Sequence, residues 1–238
     1  VSELPGFVFA ARREGAAVST EPHRVAVFID ERNLYNDARR AFHKDKDPAS
    51  SGHVDPWAFG ELIASRIAKG SPPRQLEKVW VYRGLPGPNQ QPMAHAATQR
   101  QAAFWRARGC NVQLRPLRYP ADWPRTAAQE KGIDVQLGTD VMVCAAWGFY
   151  DYIVIASTDT DLHPVLEGVE ILRTMGHEHD LPSKRVRAVE VSSWYPTNPI
   201  PRKRLRHPLK NLWCHWLDEA AYESIRDRTN YTLDPNQP

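Results

Sequence analysis

Cysteine is scarce in this chain of 238 residues and forms no pattern. Three are present, Cys110, Cys144 and Cys214, far apart and with no Cys-x-x-Cys among them. That spacing excludes a zinc ribbon or a disulfide framework, and the odd count fits free thiols in a reducing compartment. Long apolar runs are missing too. No segment approaches the roughly 20 apolar residues of a membrane helix, and Val1 to Glu21 holds no apolar core of signal-peptide length. No membrane attachment and a cytoplasmic location are therefore expected. A strong excess of one charge is also lacking. The 31 Lys and Arg against 28 Asp and Glu leave a formal +3, so only the distribution of charge can argue for a polyanionic partner. Glycines, at 13, are outnumbered by 20 prolines, which suggests long, stiff connections. What is there, 42% hydrophobic and 25% charged residues, suits one domain with a full core.

Short apolar runs alternate with segments of helical period. Strands are expected at Arg24–Asp30, Leu76–Arg83, Asn111–Leu117, Tyr152–Ala156 and Arg185–Ser193, the last at a sheet edge. Helices are expected over Glu31–Phe42, Pro56–Lys69, Met93–Arg108, Asp134–Trp147 and Leu162–Met175, with loops at His43–Asp55, Gly84–Pro92 and Tyr119–Gln129. A final helix, about Leu212–Arg228, carries Trp213, Trp216, Leu217 and Tyr222 and should dock on the main body. The alternation predicts an α/β fold with a mainly parallel sheet covered on both faces. The chain divides into an N-terminal arm (1–23), a main domain (24–193) and a Pro-rich basic segment with its helix (194–238).

Two of the strands end in acids. Asp30 closes Arg24-Val-Ala-Val-Phe-Ile-Asp30, and Ser157-Thr-Asp159-Thr-Asp161 follows Tyr152-Ile-Val-Ile-Ala156. Ligands in open α/β sheets bind beyond the carboxyl ends of the strands. Acids converging there raise one another's pKa unless a cation neutralises them. Hard oxygen ligands without a Cys or His cluster point to magnesium or manganese, an arrangement suited to phosphodiester hydrolysis. Each acid also has a plain reading: Asp30, Asp134 and Asp161 can cap helices, and Asp140 can be an exposed or ion-paired helix acid. Six helical residues rotate about 600°, leaving Asp134 and Asp140 roughly 120° apart, so both serve one site only if Asp134 acts from the helix start.

Asp30-Glu-Arg-Asn33-Leu, Lys131-Gly-Ile-Asp134 with Asp140, and Ser157-Thr-Asp159-Thr-Asp161-Leu-His-Pro164 resemble, in order and spacing, the three motifs of the NYN domain family of PIN-like nucleases. The resemblance spans about Arg24 to Ser193. It implies a three-layer α/β/α domain and a Mg2+- or Mn2+-dependent ribonuclease. By the same resemblance Asp30, Asp134, Asp159 and Asp161 hold the metal, and Asn33 positions the first ligand or the metal-bound water. Asp140 is an additional acid. Where the family commonly has Gly and Phe in the last motif, this chain has Thr158 and Leu162.

Arg202, Lys203, Arg204, Arg206 and Lys210 contain no acid between them, and Trp194, Tyr195 and Trp213 flank them. A basic strip with stacking aromatics is what an RNA backbone requires, the plain alternative being a solvated stripe; Arg39, Arg40 and Lys44 at the end of the first helix are candidates to extend it, although bases in a last turn also favour the helix dipole without any ligand. His177 and His179 fit no zinc spacing and are read as a polar turn, and Cys214-His215, adjacent on the expected helix, as packing. The rival function is a catalytically weak PIN-like module that binds RNA or protein. A dehalogenase-like phosphatase lacks its second acid, with Arg32 in that place, and a Toprim domain wants Glu where Asp30 stands. The oligomeric state is left open, a homodimer included.

Overall fold

The computed structural model describes residues 21–44, 46–48, 50–66, 72–197 and 199–233. Most of the expected arm, and residues 67–69 of the helix expected over Pro56–Lys69, lie outside them. In chain order the elements are β1 (His23–Asp30), α1 (Glu31–Phe42), α2 (Pro56–Ser65), β2 (Arg74–Leu85), α3 (Pro92–Ala107), β3 (Asn111–Pro116), α4 (Ile133–Ala146), β4 (Tyr152–Ala156), α5 (His163–His179), β5 (Ala188–Trp194), β6 (Cys214–Leu217) and α6 (Glu219–Ile225).

All six strands are parallel, in the order β3-β2-β1-β4-β5-β6. Parallel strands are covered on both faces, and for that reason β1 reads as an unbroken apolar run. Its pleat divides the run. Val25, Val27 and Ile29 face α1, α2, α3 and α6 with Phe59, Trp105 and Tyr222, whereas Ala26 and Phe28 face α4 and α5 with Leu137 and Leu166. Phe28 stacks on Trp80 at 5.8 Å, both essentially without exposure. Each such side chain contributes roughly 1.5–3 kcal/mol through burial. The chain proceeds outward from β1 to β3 on one side and from β4 to β6 on the other. The strand order therefore reverses between β1 and β4, and the crevice at their carboxyl ends is the switch point.

The C-terminal part departs from expectation. Residues Cys214–Leu217 form a sixth strand instead of the start of a helix, pairing with Val191–Trp194, and α6 covers only Glu219–Ile225. The exposed edge of β5 offers unpaired amides and carbonyls, and satisfying them outweighs the helical spacing of Trp213, Trp216 and Leu217. The edge on this side is consequently β6, with β5 interior. Asp218 then caps α6 by accepting from Ala221 N at 2.9 Å. α5 also continues past Met175 to His179 and stops where Asp180 adopts a positive φ of 55° and pairs with Lys184, so His177 and His179 lie in a last helical turn.

Candidate active site

Asp30 is both the last residue of β1 and the N-cap of α1. Its Oδ1 accepts from Asn33 N at 3.1 Å, and Ser157 Oγ donates to its Oδ2 at 3.3 Å. The residue is only 8% exposed. Burial pushes its carboxyl up to about 7, with the charges of Glu130 and Glu31 adding to the shift and the two hydrogen bonds opposing it. A carboxyl so placed is poised between a proton and a cation near neutral pH.

The turn after β4 is tied to α1. Thr158 N donates to Asn33 Oδ1 at 2.9 Å, and the Thr158 hydroxyl lies 2.6 Å from Asp37 Oδ2. Asn33 thus anchors the turn that carries Asp159, and Thr158, at the family's glycine position, uses the side chain a glycine lacks. Asp159 N donates back to Ser157 Oγ at 3.1 Å, so one hydroxyl joins Asp30 to the Asp159 turn. Asp159 Oδ1 accepts from Asp161 N at 3.0 Å and caps a 3-10 turn, Thr160–Leu162. The cap expected from Asp161 on the following helix is not formed, since α5 has Leu162 at its N-cap and no side-chain cap, and the Asp161 side chain is exposed.

Asp134 stands in the first turn of α4, whose N-cap is Gly132 at φ 72°, so it caps nothing itself. It lines, with Asp161, a groove of about 760 Å³ between α4 and α5. Asp140 is turned to the sheet, where Tyr82 Oη donates to it at 2.9 Å. Among the described residues, no three His, Cys, Asp or Glu side chains are gathered where they could hold a metal ion. Asp30, Asp134, Asp159 and Asp161 are thus not drawn into a closed cage. A hydrated magnesium or manganese ion asks for less, one or two carboxylates, several waters and substrate phosphate oxygens, and Asp30 offers one buried carboxyl at the switch point.

Glu130 is the acid the motif reading missed. Its Oε1 accepts from Gly84 N at 2.7 Å, and burial raises its carboxyl above the usual range. Its charge acts on Asp30. Adjacency to Lys131-Gly-Ile-Asp134 was the only sequence signal for it. Glu31 lies beside it but is engaged, 3.3 Å from Arg83 Nε and 3.1 Å from His53 Nδ1, and despite burial the Arg83 charge and the His53 hydrogen bond hold its carboxyl below the ordinary value.

The basic segment runs from the β5 end along the α5 face. Lys203 shares a small hollow with Asp37 and Arg40 near the Thr158 turn. Arg202 lies over the Tyr195 ring at 3.6 Å, Arg204 donates to Asn211 Oδ1 at 3.0 Å, Arg206 is exposed, and Lys210 is paired with Glu170. Trp194 offers no stacking surface, being 3% exposed with its Nε1 donating to Leu34 O at 3.0 Å. Arg39 is likewise committed, donating to the carbonyls of Asp47, Pro48 and Ser51. On its strand, His215 Nε2 lies 2.8 Å from Glu190 Oε2, which also pairs with Arg74, and burial pushes the Cys214 thiol up to about 12; no nucleophile–base pair forms.

The sequence matches the NYN domain over residues 24–175. No curated protein matches it. Among solved structures the chain is similar to a protein of unknown function from Vibrio parahaemolyticus RIMD 2210633. The identity is 17%, 75% of this chain and 84% of that chain are covered, and the TM-score is 0.44. The matched stretch carries β1 through most of α5 with all of the motif acids, and the chain belongs to the NYN domain family of PIN-like nucleases.

Proposed function

We propose that this chain is an endoribonuclease that hydrolyses RNA phosphodiester bonds with a Mg2+ or Mn2+ ion held chiefly by Asp30 and Asp159. Nucleases of this family generally act on RNA with divalent ions. The observation that carries the reading is the buried Asp30 carboxyl at the switch point, joined through Ser157 Oγ to the Asp159 turn and pushed up to about 7 by burial. A bound ion would supply an activated water and neutralise charge developing on the phosphate. The chain's own groups do the rest. Asn33 holds the Ser157–Asp161 turn against α1, Asp134 and Asp161 line the groove between α4 and α5 and would add their carboxylates to the ion's surroundings, and Lys203, Arg204 and Arg206 would draw the RNA backbone to that end of the sheet. Asp140, bonded to Tyr82, supports α4 from outside the reaction.

The test is cleavage of labelled single-stranded RNA with Mg2+ or Mn2+ by the wild type and Asp159→Asn. A loss of at least a hundredfold in the variant is expected, and equal rates would remove the metal site. The rival reading, an RNA-binding module with little catalysis, is favoured by the open ligand set at the crevice. It is supported if wild-type protein binds the RNA but leaves it intact with either ion.

A further inference from the structure

Beside the acid crevice, a cavity of about 350 Å³ opens between α1 and the ends of β2 and β3. It adjoins the reaction site, since Glu31 and Glu130 line it and the charges of both act on Asp30. Its size is at the small end of the roughly 300–1,000 Å³ of ligand pockets and suits a single nucleobase. Tyr35 forms part of one wall, its ring 4.5 Å from that of His53 and 5.9 Å from the Arg39 guanidinium carbon.

The polar chemistry of the pocket is specific. Glu31 is engaged by Arg83 and His53, which leaves Glu130 as the other carboxylate lining the pocket. Among the described residues, Glu130 accepts one hydrogen bond, from Gly84 N at 2.7 Å to Oε1, while Oε2 has the Arg32 guanidinium 3.9 Å away as an ion partner beyond hydrogen-bond reach. The placement depends on glycine. A Cβ on residue 84 would lie 2.6 Å from Glu130 Oε1, 2.8 Å from its Cγ and 2.4 Å from Leu117 Cδ2. The end of β2 is therefore shaped to let this carboxylate lie against the backbone.

An ionised carboxylate only accepts hydrogen bonds, so its best partner presents two adjacent donors. Guanine does so with N1–H and its 2-amino group. Adenine and cytosine place a donor beside an acceptor, and uracil has one donor between two acceptors. We propose that this cavity seats a guanine base next to the scissile phosphate, with Glu130 as the residue that selects it. The proposal deepens the ribonuclease reading by naming its base specificity.

Titration calorimetry of the full chain with 5′-GMP, AMP, CMP and UMP tests the pocket without any cleavage. GMP is expected to bind at least tenfold more tightly than the others. Inosine monophosphate, which keeps N1–H but lacks the 2-amino group, should fall at least fivefold below GMP. Glu130→Gln, which retains an oxygen for Gly84 N but places an amide donor against the base, should bring the four nucleotides within about twofold of one another. Equal binding of all four, binding of none, inosine monophosphate equal to GMP, or a guanine preference persisting in Glu130→Gln overturns the proposal; the inosine comparison holds even if the variant fails to fold. The two readings fail separately. GMP selectivity in a chain that cuts no RNA keeps the pocket and removes the nuclease, whereas metal-dependent cleavage without GMP selectivity does the reverse.

Discussion

Asp30 sets stability against use. Its carboxyl titrates near 7 in the folded chain against 3.8 for an ordinary Asp, so between those values the folded state binds more protons than the unfolded one. The stabilisation this proton brings is full below about pH 4 and is lost as pH rises through 7, a change on the order of a few kcal/mol. Asp30→Asn keeps a good N-cap and removes the buried charge. In thermal denaturation with chelator, the variant should therefore melt above the wild type at pH 8 and show a smaller decline from pH 5 to pH 8. Mn2+ should raise the wild-type midpoint at pH 8 and leave that of the variant unmoved. A wild-type midpoint indifferent to Mn2+ would count against Asp30 as a ligand. At Asn33 the hydrogen bond from Thr158 N is what matters. Asn33→Ala should cost about 1–2 kcal/mol by leaving that donor unmet, and should slow cleavage by freeing the turn that carries Asp159.

Two segments deserve comparison as elements. The basic run from Arg202 to Lys210 is a strap packed along α5, with Leu205 buried beneath it and Lys210 spent on Glu170. Changing Arg202, Lys203, Arg204 and Arg206 together to Gln should lower RNA affinity across sequences and flatten its salt dependence. Lys210→Gln should change RNA binding far less, since its charge is already matched. Filter-binding titrations at several salt concentrations check both, and a quadruple variant with unchanged slope would assign the strap to solvent. β6 is the other such segment. Its aromatic spacing reads as helix, yet pairing with β5 fixes it as strand, because ladder partners are a property of the neighbour and not of the segment.

At the scale of the whole molecule, the sheet extends two strands beyond the matched NYN stretch. β5 and β6 complete it, and Trp194 at the end of β5 packs with Phe42, Phe59 and Tyr222. Trp194→Ala should cost about 3–5 kcal/mol, read as a lower denaturation midpoint. A fragment ending at residue 175 would expose β4 as an apolar edge and leave that aromatic cluster unfilled. It should be insoluble or lack a near-UV circular dichroism signal, and a soluble, cooperatively folded fragment would contradict this account of the core.

The sequence by itself determined the alternation of strand and helix, the parallel sheet, and the acids that end β1 and follow β4, because apolar runs and strand-tip carboxylates are local patterns. Tertiary structure decided what depends on distant partners. It turned Trp194 inward, drew Cys214–Leu217 into the sheet, gave Asp140 to Tyr82, and laid Glu130 against Gly84 beside Asp30. The physical reason is that burial, ladder pairing and the field at a carboxyl are set by residues far along the chain, and a segment read alone carries no record of which neighbour it will meet.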